Sequence, residues 1–127
     1  MKKCAMMVAV LVIGLTLTTV GFAADKEVIQ GQVDEIVQAM NGGKMANDFK
    51  DAANKEPYYV YIMEQDGKLL VHPSLEGQNL KETAMPAYEA VSQATEEGKW
   101  VKYEWQGAEK NAYVRKTEEG AIVGSGY

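Results

Sequence analysis

"YVYIMEQDGKLLVHP", residues 59–73, decides how this chain is read. Two apolar runs rich in β-branched and aromatic residues flank Asp66-Gly67, a dipeptide suited to a tight hairpin because glycine takes a positive φ at no steric cost. Residues 58–64 and 68–72 are therefore expected to pair as antiparallel strands. The second run ends in His72, the only histidine, and Pro73, which removes a ladder donor. Residues 73–80 then read as a loop, since Gly77 and Asn79 favour turns. His72 stands either as the cap of that turn or as a group that meets a ligand.

Upstream of the hairpin, Val28, Ile29, Val33, Ile36, Val37 and Met40 recur with helical spacing, and Asn41-Gly42-Gly43 supplies a stop. A short second helix is expected over 44–53, presenting Met45, Phe49 and Ala52. Downstream, the spacing of Ala84, Ala87, Tyr88, Val91 and Ala94 predicts a helix over 82–97, ended by Gly98. Residues 100–106, 110–117 and 121–125 read as three more strands joined by short glycine-containing turns. Hairpin-length connections make the sheet antiparallel. The fold class is α+β, with five strands, a long N-terminal helix and further helices on one face.

The first 23 residues read as a signal peptide. Lys2 and Lys3 form a basic start, residues 5–20 carry no charge, and Gly21 and Ala23 put small residues where a signal peptidase cuts. Cleavage after Ala23 leaves one domain, 24–127, in the periplasm or secreted. The alternative is an uncleaved segment that anchors the chain in a membrane. Cys4 lies far upstream of the cut, so the mature chain holds no cysteine, and disulfides, thiolate nucleophiles and cysteine metal sites are excluded.

Loss of the two lysines takes the formal charge from -5 to -7, there being no acidic residue in 1–23. An acidic domain repels phosphate backbones, so nucleic acid is not an expected partner. One histidine without cysteine is a poor start for a metal site, and no cofactor is expected. No Gly-x-Ser-x-Gly elbow is present, nor any residues that assemble a base, a nucleophile and an oxyanion site, so an enzyme is not expected. Met40, Met45, Met63 and Met85 read as core filler. Glu96-Glu97 and Glu118-Glu119 read as the solvated ends of a helix and a hairpin.

Taken in order, the long N-terminal helix, "YVYIMEQDGKLLVHP", "EGQNL" (76–80), "GKWVKYEW" (98–105), "KNAYV" (110–114) and "VGSGY" (123–127) resemble the single Cache (Cache type 2) family. These are the PAS-like extracytoplasmic sensing domains of bacterial chemoreceptors and sensor kinases. The resemblance implies a ligand cavity beside the sheet, with the "HP" histidine at its mouth and the lysine of a "KxxY" element, here Lys110, as a cationic candidate. Such sensors usually continue into a second membrane helix and a signalling module, whereas Tyr127 follows the last strand directly. The expectation is a stand-alone domain that needs a membrane sensor kinase or chemoreceptor to pass on a signal.

Strand alternation places Val101, Tyr103 and Trp105 on one face, toward the helices, and Trp100, Lys102 and Glu104 on the other. It groups Tyr113 with Arg115, the only arginine. If Tyr113 faces inward, as the resemblance implies, Arg115 needs an anionic partner. That partner is a ligand carboxylate gripped by two parallel hydrogen bonds, or an internal acidic residue, unless the guanidinium emerges past the sheet edge. Lys110 is either a second anchor or a solvated turn lysine. Tyr59, Tyr61, Tyr103, Trp105 and Tyr113 line the cavity or simply fill the core.

The ligand-binding candidates are thus Tyr61, His72, Tyr103, Trp105, Lys110, Tyr113 and Arg115, and the expected ligand is a small metabolite such as a short carboxylate. The competing expectation is an interaction module with a filled core, pairing through its N-terminal helix with a second copy or a membrane receptor.

Overall fold

Residues 24–127 are described by a computed structural model, and the expected signal peptide lies outside them. Helix α1, Lys26–Asn41, opens on an Asp25 cap whose side chain accepts from the Val28 amide at 3.2 Å. It buries Ile29, Gln32, Val33, Ile36 and Val37, one stripe at helical spacing. A 3₁₀ stretch, Ala46–Asn54, follows, kinked at Phe49. Then come strands β1, Val60–Met63, and β2, Leu69–Val71.

Two short helices stand where one long helix is expected: α2, Leu80–Thr83, and α3, Met85–Val91. Between them Ala84 leaves the helical region, at φ -156° and ψ 82°, and Pro86 lies in the first turn of α3, where its missing amide and fixed φ suit a helix start but not a helix interior. After α3, residues 92–98 form turns rather than more helix. Strands β3, Lys99–Trp105, β4, Ala108–Lys116, and β5, Ile122–Gly126, complete the chain.

The five strands form one sheet in the order β2-β1-β5-β4-β3, every neighbouring pair antiparallel. This is the expected α+β, PAS-like architecture. The long helix α1 and the 3₁₀ stretch pack on one face, over Val60, Ile62, Tyr113 and Val123. The short helices pack across the sheet, where Ala87, Ala90 and Val91 meet Tyr61, Val101, Val114 and Ile122. Both faces are therefore covered, and alternate residues of every central strand enter different cores. This division sorts the candidate site residues into two groups.

Candidate functional site

The cavity-forming face is that of α3. Tyr59, Tyr61, His72, Tyr103 and Trp105 surround a hollow closed below by Leu69, Leu80 and Ala87. β3 contributes Tyr103 and Trp105 from alternating positions, and β1 contributes Tyr61. His72 reaches this face through an irregularity in the hairpin. Ile62 pairs with Val71 while Met63 pairs with Leu69, so two steps along β2 match one along β1. That bulge at Leu70 turns Leu69 and Val71 to opposite cores, and His72 follows onto the cavity side.

The His72 ring centroid lies 5.7 Å from Tyr59, 6.3 Å from Tyr61 and 6.1 Å from Trp105. Its Nδ1 accepts from the amides of Ser74 and Leu75 at 3.1 and 3.0 Å. Nδ1 must be unprotonated to do so, which leaves the hydrogen on Nε2. Burial, and then the charge of Lys110, hold His72 down to about 4. The imidazole is therefore neutral at physiological pH, a turn cap through one nitrogen and a hydrogen-bond donor through the other.

Lys110 pairs across the ladder with Tyr103, so both point to the same face. Its ammonium stands 5.2 Å from the centre of the Tyr59 ring, within cation–π range. Burial lowers its pKa below the usual lysine value. Tyr61 is fully enclosed, and its hydroxyl is 3.5 Å from that of Tyr103. Burial raises the pKa of both, Tyr103 to about 12, so both remain neutral hydroxyls. The hollow has aromatic walls with hydroxyl and imidazole groups among them, and Lys110 stands over one of those walls, Tyr59. The hollow they leave is about 10 Å³, close to the space of a single water.

Tyr113 and Arg115 are not brought to this site. They occupy the α1 face, on the far side of the sheet from Tyr103. The Tyr113 hydroxyl lies 3.2 Å from both the Asp34 carboxylate and the Glu97 carbonyl. The Arg115 guanidinium donates from Nη1 to Asp34 Oδ1 at 2.9 Å and from Nε to the Glu96 carbonyl at 2.7 Å. Arg115 thus has the internal partner that strand parity left open. Trp100 also belongs to this face, 5.6 Å from Tyr113 with the Lys26 ammonium over its ring. Sequence reasoning passed over Leu69, Leu80 and Ala87 as site residues because apolar positions carry no chemical signal of their own.

No protein-family model matches the chain, and no curated protein matches it. Among solved structures, the crystal structure of a methyl-accepting chemotaxis protein from Vibrio parahaemolyticus RIMD 2210633 superposes with a TM-score of 0.55. The match covers 80% of this chain and 86% of that chain, at 15% sequence identity. The two share a fold. At that identity the likeness says nothing of which side chains meet a ligand. Among the described residues no helix is long and apolar enough to cross a membrane.

Proposed function

We propose that the chain is an extracytoplasmic sensory domain, of the single Cache kind, that binds a small organic anion such as a short carboxylate between α3 and the sheet. The observation that supports this is one aromatic hollow lined by Tyr61, His72 and Tyr103, with the Lys110 ammonium on the same face of the sheet, 5.2 Å over the ring of Tyr59, itself one of the walls. A carboxylate would take its charge partner from Lys110 and its hydrogen bonds from the neutral donors. Arg115 has no part in it. The role involves no catalysis.

A hollow of about 10 Å³ admits no carboxylate until its walls part. Occupation would therefore shift α3 or the 73–80 loop against the sheet, the coupling of binding to conformation that a sensor requires. Passing that shift on would fall to a membrane sensor kinase or chemoreceptor. A periplasmic or secreted location, following cleavage after Ala23, belongs to the same proposal.

The tight hollow also favours a second reading, an interaction module with a filled core. Pairing through α1 is the weaker half of that reading, because Ile29, Val33, Ile36 and Val37 are spent on the sheet and of that stripe Val28 is the large side chain left exposed.

Thermal-shift screening of short carboxylates, amino acids and amines separates the two. A ligand at a hundred times its Kd stabilises a fold by about 2.7 kcal/mol, a shift of several degrees in a domain of this size. A carboxylate response lost in Lys110→Gln and kept in Arg115→Ala is the expected result. Silence across the panel overturns the ligand proposal in favour of the interaction module.

A further inference from the structure

Among the described residues, larger hollows than the aromatic one lie at the other end of the sheet hairpin. At the C-terminal end of α1, a groove of about 520 Å³ lies between residues 40–46 and the β4–β5 turn. That is within the range of roughly 300–1,000 Å³ typical of ligand sites. Met40, Met45, Leu70 and Ala121 give it an apolar floor. A second hollow of about 410 Å³ shares Met45, Ala46, Glu64 and Leu70 with the first, so the two run together past the sheet edge at β2. Met45, common to both, is 68% exposed. A large apolar side chain is thus left in water at the centre of the groove, and an unbranched thioether packs readily against varied surfaces.

The two hollows differ in charge. Glu64, Glu118 and Glu119 line the first against Lys44, whereas the second adds Lys50 and Lys68 against Glu76. The ion pairs found among the described residues involve none of the four charged groups of the first hollow. Helix α1 ends here without a basic residue in its last turn, so nothing on the helix offsets the negative end of its dipole. Backbone bonds close the turn that carries Glu118 and Glu119: the Thr117 amide donates to the Ala121 carbonyl at 2.7 Å, and the Gly120 amide to the Thr117 carbonyl at 3.0 Å. The Glu118 amide donates to Asn41 Oδ1 at 2.9 Å, tying the turn to the end of α1.

We propose that this groove docks a basic, apolar-bearing segment of a partner protein. An apolar side chain of the partner lies over Met45 and Leu70, and a lysine or arginine beside it meets Glu64, Glu118 and Glu119. Charge complementarity at the first hollow, where three glutamates stand against one lysine, selects a basic side chain there. The length of the joined hollows selects a chain segment, which can lie along both, over a free amine, much of whose surface an open groove leaves in water. The first hollow shares no lining residue with the aromatic one, and the second shares only Leu69.

The test is a titration of the ¹⁵N-labelled full-length chain with acetyl-Lys-Leu-Lys-Leu-amide, its glutamate counterpart and spermidine. The lysine peptide is expected to shift the amide signals of Met45, Leu70 and Gly120, and the glutamate peptide to leave them in place. The Glu118→Gln/Glu119→Gln variant, altered in two turn side chains, should weaken the lysine peptide roughly fivefold to tenfold. Met45→Gln should weaken it as well, and added salt should weaken the wild type. Spermidine matching the peptide would make this a small-cation site and overturn the proposal. Equal shifts from both peptides, shifts confined to His72 and Trp105, or no shifts at all would overturn it too.

Discussion

Arg115 Nη1 and Asp34 Oδ1 stand 2.9 Å apart, joining β4 to α1 on the face of the sheet that His72 does not share. The same carboxylate oxygen lies 3.2 Å from the Tyr113 hydroxyl, and the Arg115 Nε holds the Glu96 carbonyl. One guanidinium therefore fastens the N-terminal helix to the segment that leads from α3 into β3. Arg115→Ala is expected to cost about 1–2 kcal/mol, moderate because both side chains keep some contact with water. Asp34→Ala should cost about as much, and the double variant less than the sum of the two. Urea unfolding of the four proteins checks the coupling, and carboxylate affinity should be the same in all of them.

His72 makes stability depend on pH. Its pKa is held down to about 4 in the fold, against an ordinary value near 6.5 once the chain unfolds. Between those values the unfolded chain binds the extra proton, so stability rises with pH from about 4 to about 6.5 and is level above. The full effect is about 3 kcal/mol at most. Protonation at Nδ1 would also break the bonds from Ser74 and Leu75, so the turn at 73–75 should loosen first. Denaturant midpoints measured from pH 4 to pH 7 should show this slope in the wild type and a flatter one in His72→Gln, which is less stable at neutral pH.

Ser125 links the two ends of the domain from inside the sheet. It is fully buried, donates to the Tyr59 carbonyl at 2.8 Å and accepts from the Gln32 amide at 2.8 Å. Gln32 also donates to the Tyr58 carbonyl at 2.9 Å, so α1 is pinned to β5 and to the residues that lead into β1. Ser125→Ala leaves the Tyr59 carbonyl without that donor and is expected to cost about 1–3 kcal/mol, more than the volume change alone explains. Ser125→Thr keeps the hydroxyl but crowds a closed site, so it too should destabilise. Calorimetric melting of both variants is the check.

Much of this was legible in the chain. The Asp66-Gly67 turn, the stripe of α1 and the alternation of Val101, Tyr103 and Trp105 all stand as the residue pattern dictates, because each is a local consequence of φ preferences or periodicity. Parity on a strand, however, states only which residues share a face. It grouped Tyr113 with Arg115 correctly but could not tell which helices cover them, and both faces turn out to be covered. His72 shows the other limit. Its side is set by the bulge opposite Ile62 and Met63, a two-against-one register that depends on the partner strand. The break in the helix expected over 82–97 was signalled by Pro86, whose effect the apolar spacing on either side masked.

Gly124 gives the sharpest probe of the aromatic hollow. It lies opposite Tyr61 on β5, and a Cβ at its position would stand 2.5 Å from the Tyr61 Cζ and 2.6 Å from its hydroxyl oxygen. The ring is buried and borders the hollow of about 10 Å³, so displacing it encroaches on that space. Gly124→Ala should therefore cost about 1–3 kcal/mol through overpacking and abolish whatever carboxylate response the wild type gives. Gly107→Ala is the control. That residue sits at the β3–β4 turn with φ of 84° and open space around its Cα, so the substitution strains only the turn, by about 1 kcal/mol. Thermal shift of the two variants with and without ligand distinguishes loss of the site from loss of stability: Gly107→Ala melts earlier yet still responds, whereas Gly124→Ala melts earlier and does not. Retention of the full response in Gly124→Ala would mean that Tyr61 does not border the binding site.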